Sequence, residues 1–183
     1  MKPFRHLSVI SYKANPKETS AMIELFMKQK MFSFKDAFHI YDRDEQETFK
    51  VEGRFFSLGD SLQMTDSSGK TLVSIEQKLM SLLPRYEISI GGKTVCEVTK
   101  KVTFSKPKFV ISGLNWEIDG DLWRDEFQLT DGENVRMSVS KKWLSWGDSY
   151  HLQIAYEEDV LICTAIAIVL DMVLYNDEDE SIF

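Results

Sequence analysis

The chain has 183 residues, 43% of them hydrophobic and 28% charged, with a formal net charge of -7. That length suits one hydrophobic core able to bury most of its apolar surface, and the negative charge argues against a general nucleic-acid binder. Two cysteines, Cys96 and Cys163, make neither a disulfide framework nor the Cys/His spacing of a zinc site, so they read as reduced, buried thiols in a reducing, cytoplasmic compartment.

In chain order, residues 1–24 read as an N-terminal appendage. Lys2, Arg5 and His6 precede a short apolar patch, Leu7 to Ile10. The patch is shorter than the apolar region of an export signal, and no small-residue cleavage site follows it closely. A single strand followed by a polar, proline-containing loop at Ala14 to Thr19 fits the composition. The compact domain is expected over 25–176 and an acidic tail over 177–183.

Within that span the chain repeats. Segments beginning at Lys28, Glu52, Glu76, Thr99, Glu117 and Ser140 each open polar or basic, pass through a bulky middle and a turn, and close on an apolar-polar-apolar ending. The segment from Glu117 fits only in its second half. The endings alternate as a strand with one buried face does. Phe38 and Ile40 oppose His39 and Tyr41, Leu62 and Met64 oppose Gln63, and Tyr86, Ile88 and Ile90 oppose Glu87 and Ser89. Phe109 and Ile111, Phe127 and Leu129, and Tyr150, Leu152 and Ile154 continue the pattern. Partner strands are expected near Leu25 to Phe32, Phe49 to Val51, Leu72 to Ile75, Val95 to Val98, Trp116 to Ile118 and Val135 to Val139. Gly- and Asp-rich turns such as Asp66 to Gly69, Gly91-Gly92 and Asp131-Gly132 separate them at hairpin distances. About twelve antiparallel strands follow, and a sheet of that size curls or closes.

The last long stretch, Val160 to Tyr175, is apolar on every side except at Thr164 and Asp171. Such a helix is either a membrane span or the centre of a domain. A span needs about 20 apolar residues, more than the run from Val160 to Leu170 provides, and Asp171 would meet hydrocarbon. A helix over 159–176 is therefore expected inside the fold, with Asp159 as N-cap and Asn176 as its stop. A barrel of about twelve strands is too wide for its own side chains to fill, and a helix in the lumen solves that problem. The predicted fold is mainly β, a closed antiparallel barrel of about twelve strands around a C-terminal hydrophobic helix.

The segments QKMFSFKDAFHI, VEGRFFSLGDSLQM, IEQKLMSLLPRYEI and SVSKKWLSWGDSYHLQI, followed by EEDVLICTAIAIVLDMVL, resemble the LURP-one-related proteins, a group with a tubby C-terminal-like domain. The resemblance covers about residues 25 to 176 in order and spacing. It implies a twelve-stranded barrel around a hydrophobic helix, a fold thought to be shared with phospholipid scramblases. It further implies an anionic phospholipid or phosphoinositide as ligand, although no functional motif of tubby proteins or scramblases can be placed on particular residues.

Candidate site residues come from charge. Lys100, Lys101, Lys106 and Lys108 crowd one repeat, with Lys141 and Lys142 in another. They read either as a solvated face that protects strand edges or as an anion site for a lipid headgroup. Trp143 and Trp146 lie beside them as core or interfacial aromatics, and the acidic residues Asp177 to Glu180 would oppose membrane approach if near. Asp171 reads as a carboxylate at the barrel mouth or as a polar anchor for a ligand. His6, His39 and His151 are expected at the surface. Asp36, Asp60 and Asp148 in Ser-x-x-Asp turns cap turns, without the oxygen-ligand spacing of an EF-hand. No partnered nucleophile and no phosphate-cradling glycine loop occurs. The expectation is a non-enzymatic protein without cofactor or metal, peripheral to the membrane at most. It binds an anionic lipid; a protein-interaction scaffold is the alternative and a scramblase-like lipid mover the third reading.

Overall fold

Alternating burial along the strands sets the architecture, and the turns between them set the order. The structure, a computed structural model, describes residues 22–29, 36–54, 60–104, 106–144 and 147–180. The N-terminal appendage with His6, the turn at Ser33, Ser57 and Ser145, Trp146 and the side chains of Asp36, Trp143 and Asp148 lie outside the described residues.

Twelve strands run β1 Ile23–Gln29, β2 Asp36–Asp42, β3 Glu47–Arg54, β4 Ser61–Asp66, β5 Thr71–Gln77 and β6 Arg85–Ile90. They continue as β7 Lys93–Lys101, β8 Lys108–Ser112, β9 Glu117–Asp121, β10 Glu126–Thr130, β11 Val135–Leu144 and β12 Gly147–Ile154. The helix α1 spans Val160–Glu180. All ladders are antiparallel, in the order β8-β7-β6-β5-β4-β3-β2-β1-β12-β11-β10-β9. The first and last strands close the sheet on each other, with Leu25 opposite Leu152. The opening falls between consecutive strands instead. β8 and β9 lie side by side but form the two ends of the ladder order, so the expected closed barrel is nearly closed. β9, with the sequence EIDGD, forms its ladder on the β10 side alone, and β8 on the β7 side alone.

Leu25, Met27, Phe38, Ile40, Val51 and Leu62 are among the strand residues that turn inward and are buried. The helix meets them with Ile162, Cys163, Ala165, Ile166, Val169 and Leu170, all buried. At roughly 1.5–3 kcal/mol for each large apolar side chain removed from water, α1 is a principal source of stability. No helix among the described residues is long and apolar enough to cross a membrane.

Two helix expectations need correction. Asp159 does not act as a side-chain cap. It ends a 3-10 turn, Glu157–Asp159, that starts without a capping bond, and its carboxylate accepts from Arg136 Nη1 at 3.0 Å. The helix also runs through Asn176 to Glu180, because the residues after Asn176 include neither the glycine nor the proline that stops a helix.

Because successive strands are joined as hairpins, every connection leaving an odd-numbered strand lies at one end of the barrel. Connections leaving even-numbered strands lie at the other. The second end is acidic and tightly turned. Asp42, Asp66 and Asp131 each accept backbone N–H bonds within their own turns, an Asx arrangement that fixes the hairpin. The helix enters there, beside Arg136, whose guanidinium bonds both Asp131 and Asp159 and lies 4.7 Å from the Tyr156 ring centroid. It leaves at the first end.

Candidate functional site

The six lysines all lie at or beside the end where α1 leaves, but alternation divides them. Lys101 and Lys108 are register partners across β7 and β8, and Lys101 lies on the opposite strand face from the buried Cys96 and Val98. Both are exposed. Lys142 is exposed on β11, on the opposite parity from the buried Met137 and Val139. Among the described residues these three have no carboxylate partner. Lys100 and Lys141 share the inward parity of their strands. Lys100 is half-buried there, and Lys141 Nζ lies 3.7 Å from Asp125 Oδ2. Lys106 reaches across the open seam to within 3.8 Å of Asp121 Oδ2. The group expected as one face is thus an outward set, Lys101, Lys108 and Lys142, with Lys100, Lys106 and Lys141 set into the rim.

Like charges directly opposite in a ladder repel. Lys101 and Lys108 tolerate each other because both are solvated, and an anion bridging them would convert that repulsion into attraction. Arg124, at the end of a 3-10 turn joining β9 to β10, adds a further cation beside Asp121.

Asp171 is 8% exposed and lines a small cavity at the helix exit with Asp125, Phe127, Tyr150, Leu170 and Leu174. The cavity has no room for a headgroup as it stands. Asp60, at the same end, accepts from the Tyr86 hydroxyl at 3.0 Å. Burial pushes the Asp60 carboxyl up from its usual range, against the lowering effect of that bond.

The histidines depart from expectation. His39 Nδ1 lies 3.0 Å from Glu47 Oε1 and is only partly exposed. His151 is buried at 8% exposure although its strand position is outward. It stacks on Phe26 with ring centroids 4.8 Å apart, and its Nε2 is 3.2 Å from Glu24 Oε2. The neighbouring strand β1 supplies both partners, so burial there comes from cross-strand packing that His151's own alternation does not report. Glu24 also accepts from Arg43, and that guanidinium, with His151, holds its carboxyl below the usual range against desolvation. Among the described residues, no cluster of His, Cys, Asp and Glu is arranged to hold a metal ion. Cys96 and Cys163 are buried free thiols, and burial pushes Cys96 up to about 12.

Comparison with known proteins settles the lineage. The family model for LURP-one-related proteins matches residues 23–171. The chain belongs to the LURP-one-related family. A curated member of the family, protein LURP-one-related 15 of Arabidopsis thaliana, is 33% identical over 73 residues, 39% of this chain and 34% of that protein. The matched stretch therefore spans about a third of that relative's length. An X-ray structure of a protein from Arabidopsis thaliana superposes with a TM-score of 0.55 at 16% identity, over 82% of this chain and 91% of the other. At that identity the likeness speaks for the fold alone.

What sequence reasoning missed at this end is apolar. Leu79, Met80 and Leu82 in the β5–β6 connection, Val102 and Phe104 in the β7–β8 connection and Trp123 between β9 and β10 are exposed. In the sequence they fall between the expected strands, in the bulky middles of the repeats, and their exposure is not legible there.

Proposed function

We propose that this LURP-one-related barrel is a non-enzymatic, cytoplasmic binding domain that takes an anionic phospholipid headgroup, phosphoinositides included. The observation that carries the reading is the opposed pair Lys101 and Lys108, outward, exposed and without a carboxylate partner among the described residues. Two ammonium groups held on adjacent strands match a phosphate as point charges, and the term weakens as salt screens it. Lys106, Lys142 and Arg124 on the same rim extend the positive field. The family membership is consistent with this reading, and fold alone does not specify it.

The test is sedimentation with liposomes, neutral against anionic, across a salt series, for the whole chain and for the quadruple variant K100S/K101S/K106S/K108S. Binding to anionic vesicles that fades with salt and with the substitutions is the expected result. Salt-independent binding, or full retention in the variant, refutes headgroup recognition at these lysines. Absence of binding to any vesicle favours the protein-interaction scaffold.

A further inference from the structure

The apolar residues at the lysine end have a use that a headgroup site does not explain. Met80, Leu82 and Phe104 are 103%, 103% and 107% exposed, as open to water as side chains in an extended chain. A folded protein rarely leaves large apolar groups so bare and so close together without a use for them. Among the described residues, the exposed large hydrophobics outside the connections at this end are Met22, Val110 and Val135. The others sit on three successive connections, β5–β6, β7–β8 and β9–β10, which follow one another around the rim.

Each tip is bracketed by a cation in the sequence. Lys78 precedes Leu79 and Met80, Lys101 precedes Val102, Lys106 follows Phe104, and Arg124 follows Trp123. Long basic side chains beside apolar tips can keep their charged ends at the level of lipid phosphates while the tips sink past them. The opposite end of the barrel differs in degree on both counts. Its exposed apolar side chains among the described residues are less bare, Met22 at 55% and Val135 at 42%, and its turn cations Arg43, Lys70 and Lys93 are outnumbered by Asp42, Asp44, Glu45, Asp66, Asp131, Glu133 and Glu157.

We propose that the barrel docks end-on to a lipid surface, with the tips of the β5–β6, β7–β8 and β9–β10 connections immersed in the interfacial region and the lysines of the rim at headgroup level. The occupant follows from shape and charge. The tips stand on three separate connections, so a protein partner would have to present a matching set of pits. A bilayer interface accepts separate apolar points without such complementarity, and its anionic phosphates match the interleaved cations. α1 leaves the lumen at this end and continues to Glu180. The chain as a whole carries a formal net charge of -7, so immersion of the tips must supply a large part of the binding. The inference rests on the headgroup reading for the charge of the surface, and adds how the chain is held there.

The test uses the full chain labelled with an environment-sensitive NBD probe at M80C, F104C or, at the acidic end, S67C. The native Cys96 and Cys163 are buried, and unlabelled parent protein controls for them. Vesicles are phosphatidylcholine alone or with one part in three phosphatidylserine. Blue-shifted emission that rises several-fold at positions 80 and 104, quenched by spin-labelled lipid and absent at position 67, is expected. The unlabelled triple variant M80S/L82S/F104S should bind anionic vesicles at least tenfold more weakly with unchanged thermal stability, because these side chains make little folded contact. Binding to anionic vesicles without any response at 80 or 104 overturns end-on immersion and leaves the headgroup reading standing. A response at 80 and 104 on neutral vesicles as strong as on anionic ones supports immersion and refutes headgroup recognition. A response at 67 equal to that at 80 and 104 overturns the orientation, and a parent chain that binds neither vesicle overturns both readings.

Discussion

Replacing Thr164 by valine should make the protein more stable. Thr164 is 0% exposed in the second turn of α1, and its Oγ1 has no hydrogen-bond partner among the described residues. A hydroxyl held dry without a partner costs about 1–3 kcal/mol relative to one that is bonded. Valine has nearly the same shape and a helix propensity close to that of threonine, so the exchange puts a methyl where the hydroxyl was and opens no cavity. A gain of about 1–2 kcal/mol is expected. For a domain of this size each kcal/mol moves Tm by roughly 2–4 °C, so Thr164→Val should melt about 2–8 °C higher by calorimetry, with the urea midpoint moving in the same direction at constant m. Thr164→Ser keeps the hydroxyl and removes the methyl, and should lose about 1 kcal/mol. A Val variant less stable than the parent by 1 kcal/mol or more would refute the reasoning, since it would mean that the hydroxyl bonds a carbonyl one turn earlier in the helix.

Gly120 has φ +121°, and a Cβ built there would come within 2.5 Å of Glu126 O and 2.7 Å of Phe127 Cα; Gly120→Ala should therefore cost about 2–4 kcal/mol, read as a lower melting temperature. Asp131 accepts backbone bonds from Asn134 and Glu133 and a bond from Arg136, which together hold its carboxyl down at about 2. A carboxyl depressed in the folded state adds stability above its unfolded value, and that stability is lost as pH falls from about 4 towards 2. Asp131→Asn should flatten that part of the acid limb in pH-dependent melting, and an unchanged limb would contradict the assignment. With both thiols buried and Cys96 held at about 12, neither cysteine should react with a thiol reagent at neutral pH until denaturant is added, as mass spectrometry would record.

The strands were legible because one buried face writes itself into a period of two. Phe38 and Ile40, Leu62 and Met64, and Phe127 and Leu129 are buried as their alternation predicts. The central helix was legible for a related reason, since a segment apolar all round has to be enclosed. The seam was not, because a strand's own pattern records its two faces and says nothing of whether a neighbour bonds its edge. The lysines were found by proximity along the chain, which mixed inward Lys100 with outward Lys101; alternation counted from Cys96 and Val98 would have separated them. Met80, Leu82 and Phe104 fell between the expected strands, but a connection has no alternation from which to tell whether its apolar residues fold inward or stand in water.

The pairing of β1 with β12 has a consequence for how the protein is made. On a ribosome the first strand emerges early, and β2 covers one of its edges at once. Its other edge, from Ile23 to Met27, has its partner in Tyr150 to Ile154, eleven strands later. While β2 to β11 are made that edge stays open, and the lumen stays without its helix until α1 follows. Such late, long-range closure is slow and leaves apolar surface and a strand edge exposed meanwhile. The expected costs of this topology are chaperone dependence during translation and a yield that falls with synthesis temperature more steeply than the finished protein's own stability does.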